Sequence, residues 1–164
     1  MATLVELQHE YAEPPERIRE VLTDPEYLCN KLRAVGGPDA ELVRREQDDQ
    51  DVTVILQHSV PSDALPPFLR STWPEGLTIC RIENWTASGA SVLAAVDGMP
   101  GTITAALNLK SGPTGCVVDT LLTTEVPLPV VGRRIEKIIT NKIVELISTE
   151  YQFTLDWLRA SATP

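Results

Sequence analysis

Hydrophobic positions recur most regularly in residues 130–158, VVGRRIEKIITNKIVELISTEYQFTLDWL. Ile135, Ile139, Lys142 or Ile143, Leu146, Glu150, Phe153 and Trp157 follow at helical spacing, and Ile138 and Ile147 broaden the stripe. The spacing predicts one long C-terminal helix of roughly eight turns, at about 3.6 residues per turn. One side of such a helix is too apolar to stand in water, so it needs a partner surface. The segments before it alternate with the period of strands, and a curved sheet is the expected partner.

Residues 3–11 read as the first strand, with Leu4, Glu6, Gln8 and Glu10 on one face and Val5, Leu7, His9 and Tyr11 on the other. Pro14, Pro15 and Glu16 suit the first turn of a short helix whose buried side is Ile18, Val21 and Leu22. Asp24 can cap a second helix carrying Tyr27, Leu28, Leu32 and Val35, which Gly36-Gly37-Pro38 ends. Strands are expected at 40–47 and 51–58 around an Asp48-Asp49-Gln50 hairpin turn. Residues 59–76 hold four prolines and read as a long loop with a helical turn near Ala64 to Arg70, of the kind that serves as a lid or mobile segment. Further strands are expected at 77–86, 90–96, 102–110 and 116–126, separated by Gly-containing turns. Consecutive strands with tight turns, and helices grouped apart from them, make this an α+β chain with an antiparallel sheet.

Several segments strengthen that assignment: Tyr27-Leu28 through Gly36-Gly37, Leu65-Pro66, Glu83-Asn84-Trp85, the run from Val126 to Gly132 with Ile135-Glu136, and the terminal Phe153 to Leu158. Together they resemble the START-like, or helix-grip, superfamily of lipid-transfer domains, birch-pollen allergens and polyketide cyclases. Within it the chain is most similar to an uncharacterised actinobacterial family of unknown function. The resemblance covers essentially the whole chain, 1–164, as one domain. It implies a strongly curved antiparallel sheet wrapped around the long C-terminal helix, with a hydrophobic cavity between them. It implies no catalytic residues that can be carried over.

Composition narrows the function classes. The hydrophobic fraction of 43% and charged fraction of 23% are those of an ordinary globular protein. The net charge of −9 argues against nucleic acid, because the only local basic pairs are Arg44–Arg45 and Arg133–Arg134. It also disfavours electrostatic docking on anionic membranes. No apolar run reaches the length of about 18 residues needed to span a bilayer, so integral membrane association is not expected. The N-terminus lacks the pattern of a secretory signal, and a cytosolic location is the expectation. Cys29, Cys80 and Cys116 are odd in number and far apart, which suits small buried residues better than a disulfide framework or a zinc site. No cofactor or metal is expected.

Alternation then selects the inward positions. Val118, Thr120, Leu122, Thr124 and Val126 should face the helix from the last strand, and Ile103, Ala105, Leu107 and Leu109 from its neighbour. These sets are apolar, and small Ala105 leaves space that is either a pocket or filled by Phe153, Trp157 and the isoleucines. His58 ends a strand before the loop; it is either a half-buried structural residue or a general base near a cavity mouth. Arg81 and Glu83 share a strand face with Trp85, and line a pocket or form an exposed pair. Trp73 either pins the 59–76 loop or faces a ligand. Lys142 either snorkels out of the apolar stripe or points at a guest. The ligand-facing set is therefore His58, Trp73, Arg81, Trp85, Ala105, Leu107, Thr120, Leu122, Lys142, Leu146 and Phe153.

No Gly-x-Ser-x-Gly, Gly-x-Gly-x-x-Gly or Walker-type segment occurs. The leading expectation is a carrier or sensor of a hydrophobic small molecule, a lipid or polyketide-like compound. An enzyme of the cyclase, dehydratase or hydrolase kind, using His58, Arg81 or Lys142, comes second. A protein-interaction module using the acidic surface or the 59–76 loop comes third.

Overall fold

The chain begins with strand β1 (Thr3–Tyr11), whose alternate residues Val5, Leu7, His9 and Tyr11 turn inward as the sequence pattern requires. These observations come from a computed structural model that describes residues 2–162. Helices α1 (Pro15–Leu22) and α2 (Pro25–Val35) follow, then β2 (Glu41–Asp48), β3 (Asp51–Val60), a short α3 (Pro67–Arg70), β4 (Leu77–Trp85), β5 (Gly89–Val96), β6 (Thr102–Ser111), β7 (Cys116–Glu125) and the long α4 (Gly132–Ala162). All neighbouring strands are antiparallel, in the order β1-β7-β6-β5-β4-β3-β2. Four of the six pairings are hairpins, and β3 and β4 are joined through the longer segment that carries α3. The remaining pairing joins distant parts of the chain, β1 on β7, where Val5 lies opposite Leu122, Leu7 opposite Thr120 and His9 opposite Val118. The result is an α+β helix-grip fold.

Inward residues of β6 and β7 match the expected sets, with Ile103, Leu109, Val118, Leu122 and Thr124 all buried. β2 is an edge strand and is charged accordingly; its register shifts between Leu42 and Arg44, leaving Val43 exposed in an irregularity that discourages further pairing.

The short helices are set by local chemistry. The Asp24 side chain accepts the Tyr27 N–H at 2.9 Å and starts α2, which buries Tyr27, Leu28, Lys31 and Leu32. At its far end, Gly37 has φ of 88° and lies so close to Ser59 that a Cβ would fall 2.0 Å from the Ser59 carbonyl oxygen. Ser59 N–H donates to the Gly36 carbonyl at 3.1 Å. A side chain at 37 would push α2 off β3 at the residue next to His58.

The 59–76 segment differs from a mobile lid. β3 continues to Val60, a single 3₁₀ turn covers Ser62–Ala64, and α3 follows. Leu65 and Leu69 are buried, and Arg70 donates to the carbonyls of Ser62, Asp63 and Leu65 at 2.9–3.0 Å. A segment whose backbone acceptors are satisfied from within is packed structure.

At 31 residues, α4 is about 46 Å long. Its first turns are held by Glu136, which accepts Val126 N–H on one oxygen and Thr3 Oγ1–H on the other, both at 2.9 Å. Two apolar clusters flank the helix. One joins α1, α2 and the C-terminal turns of α4, including Tyr27, Leu28, Trp85, Phe153 and Trp157. The other joins the first half of α4 to β5, β6, β7 and the α3 segment, including Leu65, Leu122 and Ile135. The three cysteines correct a sequence expectation: Cys116 is buried, but Cys29 and Cys80 lie on outward faces and are exposed. Small size permits burial without compelling it.

Candidate functional site

Between the two clusters the inner face of the sheet and α4 do not meet, and a cavity of about 340 Å³ separates them. Its floor is apolar and comes from the strands, with Ile79, Val92, Ala94, Ile103, Ala105, Leu107, Val118 and Leu122. α4 closes the opposite side with Ile138, Ile139, Ile143, Leu146 and Ile147, all only half-buried despite facing inward. Leu65 and Leu69 of the α3 segment and Val35 of α2 complete the rim. The volume has a simple origin. Residues opposite the middle of α4 are short (Ala94, Ala105, Thr120), while the large aromatics are concentrated at the C-terminal end of the helix.

One wall is polar. Arg81 of β4 places Nη1 at 3.0 and 3.1 Å from the two carboxylate oxygens of Glu150 on α4. Its Nη2 lies 2.6 Å from Glu83 Oε2, two residues along the same strand face. Trp85 Nε1–H donates to the other Glu83 oxygen at 2.9 Å. Lys31 Nζ, from α2, is 3.6 Å from Glu150 and 5.4 Å from the centre of the Tyr27 ring. Thr154 Oγ1–H donates to the Glu150 carbonyl at 2.8 Å, so the Tyr27 hydroxyl, 2.7 Å away, donates to Thr154. Three elements, α2, β4 and α4, thus converge through side chains that are individually costly to bury and are acceptable together.

His58 of β3 joins this wall at 5% exposure. Among the described residues neither ring nitrogen has a hydrogen-bond partner, nor does Arg81 Nε. Burial, reinforced by the Arg81 charge, pushes the imidazole down to about 4. Burial works against ionisation of Glu150, but Arg81, Lys31 and His58 outweigh it and hold the carboxyl down to about 2. Arg81 likewise overcomes its burial through Glu150 and Glu83 and stays firmly protonated. Burial raises the Tyr27 hydroxyl well above its ordinary range.

Of the residues singled out in the sequence, His58, Arg81, Trp85, Ala105, Leu107, Thr120, Leu122, Lys142 and Leu146 line the cavity. Arg81 and Glu83 form a pocket-side pair rather than an exposed one. Lys142 contributes its stem alone: its side chain is 63% exposed and Nζ lies 3.4 Å from Glu145, outside. Trp73 and Phe153 lie outside the cavity wall. Trp73 packs on the cluster beneath α3, with Nε1 3.6 Å from the Cβ position of Gly98, and pins its segment. Phe153 sits between Tyr27 and Trp157, ring centres at 5.7 and 6.1 Å, so neither aromatic of the helix end fills the cavity. Sequence reasoning missed Tyr27, Lys31, Glu83 and Glu150 as members of one site. Their signal was present: Lys31 lies between Leu28 and Leu32 on the buried face of α2, and Glu150 interrupts the apolar stripe of α4.

Among the described residues no group of three or more His, Cys, Asp and Glu side chains could hold a metal ion, and no helix is long and apolar enough to cross a membrane.

Comparison with known proteins agrees with the architecture. Residues 6–158 match the family model described as Protein of unknown function (DUF2505). No curated protein matches the chain. Among solved structures, TTHA0849 from Thermus thermophilus is 16% identical, with 98% of this chain and 100% of that one covered and a TM-score of 0.67. A START superfamily protein from Mycobacterium smegmatis is 15% identical, with 94% and 98% covered and a TM-score of 0.58. The di-domain ARO/CYC protein StfQ of the steffimycin biosynthetic pathway is 11% identical, with 98% of this chain and 53% of that one covered and a TM-score of 0.65. At these identities the likeness is one of fold: a START-like one.

Proposed function

We propose that this chain, which belongs to the DUF2505 family of proteins of unknown function, binds or transports a hydrophobic small molecule, lipid or polyketide-like, between its sheet and α4. The observation that carries the reading is the row of isoleucines on α4 that face inward yet remain half-buried over about 340 Å³ of space. Apolar side chains left uncovered inside a protein forfeit contacts on one side, a cost that a guest removes. The volume falls within the range of about 300–1,000 Å³ usual for small-molecule sites, and the buried ionic groups of its lining are grouped on one wall. Native mass spectrometry of protein purified from its own host, followed by uptake of lipids and fluorescent hydrophobic probes by the delipidated protein, tests the reading. A co-purified apolar ligand supports it; no uptake of any probe refutes it.

A second reading, an enzyme of the cyclase, dehydratase or hydrolase type, draws support from the buried ionic cluster, since perturbed groups in a cleft are a common mark of active sites. Against it stand the self-pairing of Arg81, Glu83 and Glu150, a His58 too weak a base at neutral pH, and a Lys142 ammonium turned outward. Alanine at His58, Arg81 and Lys142 leaving turnover of a candidate substrate unchanged would remove these residues as its catalytic groups.

A further inference from the structure

The polar wall has a charge count that bears on the guest. Lys31 and Arg81 each lie on Glu150, and Arg81 also lies on Glu83, so two cations and two carboxylates cancel. A guest bearing a carboxylate or phosphate adds a third negative charge to this balanced set, and drawing Lys31 or Arg81 toward itself leaves buried Glu150 with less compensation. Otherwise it brings its own charge into an apolar cavity without a counter-ion. Neither route is open at low cost.

What the wall does have to spare is hydrogen-bonding capacity. His58 Nδ1 and Nε2 and Arg81 Nε have no partner among the described residues. The groups around the imidazole are Arg81 and Glu83 on β4, Lys31 on α2 and Glu150 on α4, and burial with Arg81 keeps the ring uncharged at neutral pH. A neutral imidazole offers one donor and one acceptor. His58 lines the cavity with both ring nitrogens buried, so a guest that bonds to one of them requires the ring to turn about its soft χ2 torsion. A hydroxyl, which donates and accepts, matches both possibilities; a ketone matches the donor alone.

Resting on the reading of the cavity as a container, we propose that its guest is an electrically neutral, largely apolar molecule whose hydroxyl or carbonyl group seats against His58, in preference to a carboxylate- or phosphate-bearing lipid. A site with polar groups to satisfy discriminates strongly against analogues that leave them unpaired, and here it discriminates against charge as well.

The test uses two matched series, naphthalene, 2-naphthol and 2-naphthoate, and decane, decan-1-ol and decanoate. Binding of each to the delipidated full chain is measured calorimetrically at about pH 7, where the carboxylates are ionised. In the series that fits, the alcohol is expected to bind about tenfold tighter than either the hydrocarbon or the carboxylate. His58→Leu should abolish the preference, so that the alcohol binds no tighter than the hydrocarbon in the same variant. His58→Gln, which keeps a donor and an acceptor, should retain much of the preference. A carboxylate that binds as tightly as the alcohol overturns the proposal without touching the container reading. So does a His58→Leu variant that keeps the alcohol preference. If no member of either series binds, both fall. The wild-type comparison decides the charge question even if a variant fails to fold.

Discussion

Glu150 is the residue on which the polar wall depends, and Glu150→Gln isolates its charge while keeping its shape. The magnitude follows in two ways. A carboxyl held from 4.5 down to about 2 gains about 3 kcal/mol from the folded surroundings, at about 1.4 kcal/mol per tenfold change in proton affinity. Removing one partner of a buried ion pair costs about 3–5 kcal/mol, because the other charge is left behind. The substituted amide can still accept one bond from Arg81, and Arg81 keeps Glu83, so the lower end applies. The expected loss is about 3 kcal/mol, read as a shift of the urea midpoint at unchanged slope. Trp85, bonded to Glu83 at 2.9 Å, supplies a fluorescence signal from within the wall.

Two controls make the reasoning refutable. The unfolded carboxyl takes up its proton near 4.5 and the folded one only near 2, so the stabilisation is complete above about pH 4.5 and drains away as pH falls toward 2. The gap between wild type and Glu150→Gln should narrow across that window. Arg81→Met removes the partner, and the double variant should cost less than the sum of the singles by about 1–3 kcal/mol. A Glu150→Gln loss below about 1 kcal/mol, or additivity of the two changes, would show that the ionic contacts contribute no net stabilisation.

Other outcomes follow from the same geometry. The His58 imidazole stays neutral while its unfolded counterpart, near 6.5, takes a proton, so wild-type stability should be full above about pH 6.5 and fall by up to about 3 kcal/mol toward pH 4. His58→Leu should abolish that slope in acid unfolding curves and raise stability at neutral pH by about 1 kcal/mol, since it removes two unpaired nitrogens. Tyr27→Phe deletes one buried hydrogen bond to Thr154 and should cost about 1 kcal/mol by denaturant titration, with uptake intact. Ala105→Leu projects into the cavity and should lower uptake of hydrophobic probes with no loss of thermal stability; undiminished uptake would place the guest elsewhere.

Much of the container was legible in the sequence, because a sheet with one buried face writes itself as a period of two. Val118, Thr120 and Leu122, with Ile103, Ala105 and Leu107, were assigned inward from alternation, and all six line the cavity. The polar wall was harder to read because its contacts are long-range: Arg81 meets Glu150 across 69 residues. Seen along β4 alone, Arg81 and Glu83 look like an ordinary solvated pair. The segment after β3 shows its helical turn in the sequence but not its internal order, which depends on Arg70 reaching back to three carbonyls and on Leu65 and Leu69 being covered by other elements.

Besides Glu136, which Val126 and Thr3 satisfy at the start of α4, three charged residues lie on otherwise apolar helix faces, and their different fates depend on reach. Lys142 has a stem long enough to carry its ammonium off the stripe to Glu145, so its position on the cavity rim is met by snorkelling and needs no partner inside. Glu150 sits on the stripe two turns later with a shorter side chain, and from there its carboxylate has Arg81 and Lys31 as its neighbours instead of water. Lys31 has the reach of Lys142 but not its freedom, because it lies between Leu28 and Leu32 with the Tyr27 ring 5.4 Å from its ammonium. A charged residue on an apolar face therefore marks a buried site when its side chain is too short or too hemmed in to reach solvent. By that criterion Glu150 and Lys31 point to each other, Arg81 is the cation that completes the balance with Glu83, and His58 is an uncharged member of the wall left with hydrogen-bonding capacity to offer a guest.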